Sequence, residues 1–253
     1  MNLIFKILIV FLLCQTLNAR EVGETEITTE DGIEVYQNEK FYLLKKNVRI
    51  IGDNFNLNAN NVKVYFNNNL YDIVSIEAEN NVLFDYFDLK IKGFGEKLDF
   101  IVNQEEITIQ GEKSELITED FKMFSDGNIL VNNLNGNFSL IGPKSRLIYS
   151  NVFIEGEEIN GLFSNNLNKK EIKYLNVKDN NLSYVKYDNT EMYAKAINFD
   201  YKKSLIELTD NVVIVRNGQK INGDYGTLDT SNNSYKIKSK NQNKVKVVIQ
   251  SGE

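Results

Sequence analysis

Two stretches of this chain, 44–65 and 208–229, align with each other without a gap, and this internal repeat constrains the fold more than any other feature. The first reads LKKNVRIIGDNFNLNANNVKVY and the second reads LTDNVVIVRNGQKINGDYGTLD. A third ungapped copy lies between them, with Asn81, Val82 and Phe84 followed by Ile91, Gly93 and Leu98. Repeats of this kind are typical of stacked units that bury their apolar faces against one another. The sequence therefore predicts a stack of equivalent units rather than one irregular globule.

Most segments of the chain alternate apolar and polar residues with a period of two, for example 55–59, 62–66 and 107–109. Such alternation is typical of half-buried strands. Clusters of Asn, Asp, Gly and Ser between these segments favour turns, because these residues accept turn geometry. Outside the first 19 residues, no long segment keeps a helical period. With about two strands per unit, we expect an all-β chain of about 16 antiparallel strands.

A short signature marks where we expect each strand to turn a corner. It consists of an apolar residue, a Gly or Ala two places later, and an apolar residue five places after that. The last apolar position has the opposite parity to the first two, so all three side chains face inward only if the strand contains one extra residue between them. We expect the small residue to lie where the two walls approach each other closely. The six copies are Leu57/Ala59/Val64, Ile91/Gly93/Leu98, Ile109/Gly111/Leu116, Leu140/Gly142/Leu147, Met192/Ala194/Phe199 and Ile221/Gly223/Leu228.

The N-terminal segment MNLIFKILIVFLLCQTLNA has the composition of a secretory signal peptide. Lys6 precedes an apolar run from 7 to 13 that is too short to span a bilayer, and Ala19 is a suitable cleavage position. An uncleaved anchor is the alternative. We therefore divide the chain into a signal peptide at 1–19 and one domain at 20–253. Cleavage would remove Cys14, the only cysteine, so the mature domain would contain no disulfide.

The residue types argue against an enzyme. The chain contains no His, and its only Cys lies in the predicted signal peptide, which excludes Ser-His triads, thiolate catalysis and Cys/His zinc sites. A Ser-x-x-Lys match at Ser183 and Lys186 lacks the companion motifs and helical setting of a catalytic site. We predict no catalytic residue, no metal and no cofactor. The net charge of −6 also disfavours nucleic acid as a partner.

The pattern instead provides many inward-facing apolar residues on two walls. If the walls close, these residues form an ordinary packed core. If the walls splay, the same residues line an apolar groove that would hold acyl chains, and the pattern is compatible with both arrangements. The candidate groove residues are Val48, Ile50, Leu57, Ala59, Val62, Val64, Phe84, Ile91, Leu98, Val212, Ile214, Ile221 and Leu228.

Several motifs resemble the OstA-like family, which includes the LptA proteins of Gram-negative bacteria. The resemblance rests on MYAKAINF at 192–199, LIELTDNV at 205–212, KINGD at 220–224 and NKVKVV at 243–248. NANNVKV at 58–64 is similar to the first Asn-Ala-Asp unit of the family. Two features depart from the family pattern: the chain is longer than typical members, and Asp210 stands where the family has Gly.

This resemblance implies a V-shaped antiparallel β-jellyroll in the periplasm that shelters the acyl chains of lipopolysaccharide. It also implies head-to-tail oligomers that bridge an LptC-type inner-membrane protein and an LptD-type outer-membrane protein in outer-membrane biogenesis. Open terminal strands would join by strand addition. The residues expected at these edges are Ile27, Val245, Val247 and Ile249.

Other functions remain open at the level of sequence. An LptC-like protein or an LptD N-terminal-like jellyroll would belong to the same pathway. A structural or adhesive exported β-solenoid would have a filled core and no lipid ligand. A polysaccharide-active β-solenoid enzyme would need carboxylates clustered on one outer face.

Overall fold

A computed structural model describes residues 24–70, 72–164, 170–232, 234–239 and 244–249, and the predicted signal peptide lies outside these ranges. Eighteen strands in these ranges form one continuous sheet, slightly more than the expected 16. The strands are β1 (Glu26–Thr28), β2 (Ile33–Tyr36), β3 (Phe41–Ile51), β4 (Phe55–Phe66), β5 (Ile73–Tyr86), β6 (Ile91–Ile101), β7 (Glu106–Gln110), β8 (Ser114–Ile117), β9 (Phe121–Ser125), β10 (Asn128–Asn132), β11 (Asn137–Tyr149), β12 (Val152–Phe163), β13 (Ile172–Tyr187), β14 (Thr190–Asp200), β15 (Leu205–Arg216), β16 (Gln219–Asp229), β17 (Ser234–Lys238) and β18 (Lys246–Ile249).

The sheet folds into two walls because most long strands bend in the middle and contribute one half to each wall. Wall A contains β2, β7, β10, β17, the first halves of β3, β5, β11, β13 and β15, and the second halves of β4, β6, β12, β14 and β16. Wall B contains β1, β8, β9, β18 and the remaining halves. Each wall thus has about 14 segments, and at about 4.8 Å per strand the stack is about 60 Å long.

The result is a V-shaped, all-antiparallel β-jellyroll. The bends lie along one edge of the V, which we call the corner edge. The hairpin turns of both walls lie along the opposite edge, which we call the mouth. The extra strands come from the middle of the chain, where bends at 111–113 and 126–127 interrupt the ladder and divide two long strands into β7 and β8 and into β9 and β10.

Paired left-handed residues build three of the corners. At each one the strand register shifts and the chain passes from one wall to the other. The second residue of each pair is the Asn of a recurring Asn-Val sequence, and Asn tolerates positive φ better than most residues. The pairs are Lys46 (φ 62°) with Asn47 (49°), Asn80 (65°) with Asn81 (56°), and Asp210 (61°) with Asn211 (56°).

The corner at Asp210 explains the departure from the family pattern. The backbone there has a φ of 61°, a conformation that glycine adopts without a steric penalty. Asp is one of the few other residues enriched in this region of backbone conformation. The change from Gly to Asp therefore leaves the corner intact.

The expected change of parity at the corners is confirmed. In β4, Leu57 and Ala59 lie before the register shift and Val62 and Val64 lie after it, yet all four side chains are buried. The close approach of the two walls is also confirmed at Gly93 in wall B. A Cβ at Gly93 would lie 2.5 Å from Cδ1 of Ile109 in wall A, so a larger residue there would require the Ile109 side chain to move.

We expect that replacing Asn81 with Val will destabilise the fold. A β-branched residue in the left-handed region costs about 1–2 kcal/mol, whereas Gly at this position should be neutral or stabilising. The matched control is Asn58→Val, because Asn58 is exposed on the neighbouring strand and is absent from the positive-φ positions. Chemical denaturation of the three variants measures the difference. Equal stability of Asn81→Val and Asn58→Val would contradict the proposed origin of the corner.

Candidate functional site

All thirteen residues predicted from sequence to face inward are buried between the walls. Their side chains retain from 0% to 9% of their accessible surface, and the most exposed of them is Ile221. Arg49 and Val213, which have the opposite parity, are more exposed. These thirteen side chains therefore face the interior between the walls. Most of these side chains pack against one another in a single apolar cluster.

Four aromatic side chains meet between the walls in the middle of the stack. The ring of Phe163 in wall A stacks on Phe121 of wall B, with centroids 4.5 Å apart and planes 9° from parallel. Its other neighbour is Phe138 of wall A at 4.4 Å, while Tyr149 of wall B lies 6.4 Å away. Phe121, Phe138 and Phe163 are all buried. These four rings, which we call the aromatic cluster, fill the space between the walls at this level.

Gly161 makes room for this cluster. A Cβ at Gly161 would lie 2.2 Å from Cζ of Phe138 and 2.8 Å from the carbonyl oxygen of Tyr174. The sequence signature includes Gly161 as an incomplete copy that lacks its last apolar residue at Asn166. The structure gives this glycine a different role from that of Gly93, because the contact is with a ring of the adjacent strand rather than with the opposite wall.

Polar contacts close the mouth beside the aromatic cluster. The backbone N–H of Lys170, at the edge of wall A, donates to Oδ2 of Asp120 in the β8–β9 turn of wall B at 3.0 Å. The ammonium group of Lys170 donates to Oδ1 of Asn133, whose amide in turn donates to the carboxylate of Glu105. Burial lowers the pKa of Lys170, although the carboxylates of Asp120 and Glu105 oppose this effect. The two walls are thus joined across the mouth at this point.

Rings from both walls also meet in the N-terminal half of the molecule. Phe100 of wall A lies 5.5 Å from Phe84 and 5.5 Å from Tyr86, both in wall B. Phe84 and Phe100 are buried, and Tyr86 is partly buried against the same core. Aromatic packing therefore holds the walls together on this side of the aromatic cluster.

On the C-terminal side, an apolar cavity of about 370 Å³ opens between the walls at the mouth. Seven aliphatic side chains and Phe199 line it, together with three tyrosines and five polar or charged side chains. This arrangement suits a ligand with an apolar body and a polar end. The lining residues are Tyr149, Ser150, Asn151, Val152, Ile154, Glu171, Ile172, Leu175, Val185, Tyr187, Ile197, Phe199, Tyr201, Ser204, Ile206 and Thr230.

None of the thirteen residues predicted from sequence lines this cavity. Those residues come from the clearest copies of the repeat, at the two ends of the chain, whereas the cavity lies between β11 and the turn after β16. Two sequence signals pointed to this region: Asn151-Val152 repeats the Asn-Val element, and Phe199 ends one copy of the corner signature. Neither signal indicates where the two walls separate.

Both ends of the stack expose inward-facing apolar side chains. At the N-terminal end, Ile33 and Val35 of β2 are 50% and 45% exposed, although they lie opposite the buried Leu44 and Tyr42. At the C-terminal end, Val247 lies opposite Ile221 and is 52% exposed. Val245 precedes β18 and is 41% exposed, whereas Ile27 of β1 packs partly against the core. Ile249 ends β18 and pairs with Gln219.

Neither a metal cluster nor a transmembrane helix is found in the part of the chain that the structure describes. No group of three or more His, Cys, Asp or Glu side chains there is arranged to hold a metal ion. No helix there is long and apolar enough to cross a membrane.

Comparison with known proteins identifies the family. A family model described as "LptA/(LptD N-terminal domain) LPS transport protein" matches residues 101–234, more than half of the 253 residues. Among solved structures, the chain is similar to LptH, the LptA homologous periplasmic component of the lipopolysaccharide transport device from Pseudomonas aeruginosa, with 10% identity and a TM-score of 0.25 over 90% of this chain and 96% of LptH. This TM-score is too low to support a conclusion, and no curated protein matches significantly. The match over residues 101–234 shows that the chain belongs to the LptA/(LptD N-terminal domain) family of LPS transport proteins.

Proposed function

We propose that this protein binds lipopolysaccharide in the periplasm and passes it between membrane-bound partners without acting as an enzyme. The observation that carries this proposal is the apolar cavity of about 370 Å³ that opens at the mouth of the V. Its volume lies within the range of small-molecule sites, and its aliphatic interior suits acyl chains. Each methylene group that moves from water into such an interior contributes about 0.8 kcal/mol.

The predicted groove residues near the C-terminus extend this site. Val212, Ile214, Ile221 and Leu228 lie on β15 and β16, between the cavity and the C-terminal end of the stack. Their buried faces form an apolar path from the cavity to the exposed Val247. The other nine predicted residues lie on β3 to β6 in the N-terminal half, where they would line a separate part of the interior.

Export to the periplasm requires the signal peptide predicted at 1–19, followed by one domain at 20–253. We expect that the mature protein begins at Arg20, because Ala19 is a small residue at the end of the predicted segment. Edman sequencing of the protein purified from a periplasmic extract tests this. A sequence that begins at Met1 in membrane fractions would instead favour an uncleaved anchor.

The direction of the terminal strands suits head-to-tail assembly. Every pairing in the sheet is antiparallel, and each wall has an even number of segments, so the first and last strands run in opposite directions. A second copy stacked in the same orientation would therefore place its β1 antiparallel to β18 of the first. Ile27 and Val247 both lie opposite buried residues, so the apolar interior would continue across the junction. The same edges would serve LptC-type and LptD-type partners of related fold.

The outer faces at the two ends carry opposite charges. At the N-terminal end, Glu26 and Glu34 lie on the outer faces of β1 and β2. At the C-terminal end, the outer faces of β17 and β18 carry Lys236, Lys238 and Lys246. Opposite charges on neighbouring strands stabilise sheets, whereas like charges destabilise them. This asymmetry favours head-to-tail contacts over contacts between identical ends.

We expect that Leu175→Trp will weaken lipopolysaccharide binding at least tenfold. The larger side chain would occupy the cavity that Leu175 lines and displace several methylene groups of the ligand. Tyr174→Trp is the matched control, since Tyr174 is the preceding residue in β13 but is 45% exposed on the outer face. Equilibrium binding of fluorescent lipopolysaccharide measures both. Equal affinity of the two variants would argue against the cavity as the site, and no binding by the native protein would favour a filled structural solenoid.

We expect that Lys246→Glu will weaken self-association by about two- to fivefold, because it would place like charges on facing strands at the junction. Glu26→Lys should have the same effect, and the double variant should recover most of the lost association. Sedimentation velocity at low salt measures the three proteins. Additive losses in the double variant would show that β1 and β18 do not meet.

A further inference from the structure

We propose that the aromatic cluster divides the interior into two compartments and confines a bound acyl chain to the C-terminal one. Phe163 would be the residue that determines whether the chain reaches the N-terminal compartment. This inference rests on the proposed function, because it concerns where in the interior the lipid lies. Without this cluster, the repeated units would enclose one continuous interior along the whole stack.

The position of the rings supports a complete barrier. Along the stack, Phe121 lies on β9, Phe138 on β11 and Phe163 on β12, so the rings occupy three successive layers. Phe121 belongs to wall B, whereas Phe138 and Phe163 belong to wall A. The contacts of 4.4 and 4.5 Å between centroids leave no room for a methylene chain between the stacked rings. A chain that runs along the interior would therefore have to displace Phe163.

The mouth offers no way around this barrier at the same level. The hydrogen bond from the backbone of Lys170 to Asp120 connects the two walls immediately outside the rings. The ammonium group of Lys170 also lies 5.9 Å from the centre of the Phe121 ring. Just beyond Phe163, the N–H of Ser164 donates to the carbonyl oxygen of Glu171 at 2.7 Å, which fixes this part of the mouth to β13. The hydrogen bond from Lys170 to Asp120, which we call the polar bridge, and the rings therefore close the same level of the stack.

The two sides of the barrier differ in composition. On the N-terminal side, the rings of Phe84, Tyr86 and Phe100 contact one another across the walls. On the C-terminal side, the interior of the cavity is formed by aliphatic residues such as Leu175, and Tyr149 both lines the cavity and contacts Phe163. A ligand that enters at the mouth thus finds space on one side of Phe163 and packed rings on the other.

Site-specific photo-crosslinking with radiolabelled lipopolysaccharide tests the boundary. Diazirine amino acids replace Ile206, which lines the cavity, or Ile76, which is buried on the N-terminal side. In the native background we expect strong labelling at Ile206 and at least fivefold weaker labelling at Ile76. Phe163→Leu should raise labelling at Ile76 several-fold. The matched control is Phe66→Leu, which makes the same chemical change at a buried ring outside the aromatic cluster and should leave the ratio unchanged.

Two further variants separate the rings from the polar bridge. Phe138→Leu removes a different ring from the same stack, so it should also raise labelling at Ile76, and it replaces the first variant if Phe163→Leu does not fold. Asp120→Ala removes the acceptor of the polar bridge but keeps the rings, so labelling at Ile76 should stay low. A rise with Asp120→Ala as large as that with Phe163→Leu would overturn the assignment to Phe163.

The outcomes distinguish this inference from the function on which it rests. Equal labelling at Ile206 and Ile76 in the native background would overturn the boundary while supporting lipid binding in the interior. An absence of labelling at both positions, in protein that remains folded by circular dichroism, would overturn the proposed function itself.

Discussion

The left-handed backbone at the corners is the constraint on which the rest of this structure depends. A straight strand has one dry face and one wet face, so it serves a single wall. The paired positive φ values at positions such as Asn80 and Asn81 turn the chain from one wall to the other. Strand β5 can then supply buried residues to both walls, with Ala78 before its corner and Val82 after it. Without these corners the same sequence pattern would give a flat sheet with no enclosed interior.

In the described ranges of the chain, this construction leaves open strand edges at the two ends of the stack. Within the stack, each wall segment lies between two others, whereas β1, β2, β17 and β18 each have one neighbour in the part of the chain that the structure describes. Open strand edges of this kind normally favour unspecific association, and charged side chains limit it. Here the charges differ in sign between the ends, and the inward apolar residues continue to both edges. The charges at the ends therefore do more than limit aggregation, because they favour association of one end with the opposite end of another copy.

Structural features that depend on neighbouring residues could be predicted from the sequence, whereas features that depend on the volumes of distant side chains could not. The change of parity between Ala59 and Val62 could be predicted because a bulge affects only a few adjacent positions. The strand number was underestimated because the middle of the chain has weaker repeats and sharper bends. The cavity could not be predicted, since it results from the sizes of side chains that are distant in sequence. The stacking of Phe121 on Phe163, 42 positions away, is one such contact.

The contrast between ring packing and aliphatic lining determines how the protein would respond to a ligand. Protein interiors are normally close-packed, and an unfilled apolar space reduces stability because its lining lacks contacts. The cavity beside Leu175 is such a space, whereas the rings of Phe84 and Phe100 fill the corresponding volume in the N-terminal half. A ligand that fills the cavity would supply the missing contacts and stabilise the folded state in proportion to its occupancy. The looser packing of the C-terminal half is therefore compatible with a carrier, because a ligand in the cavity would add apolar contacts there.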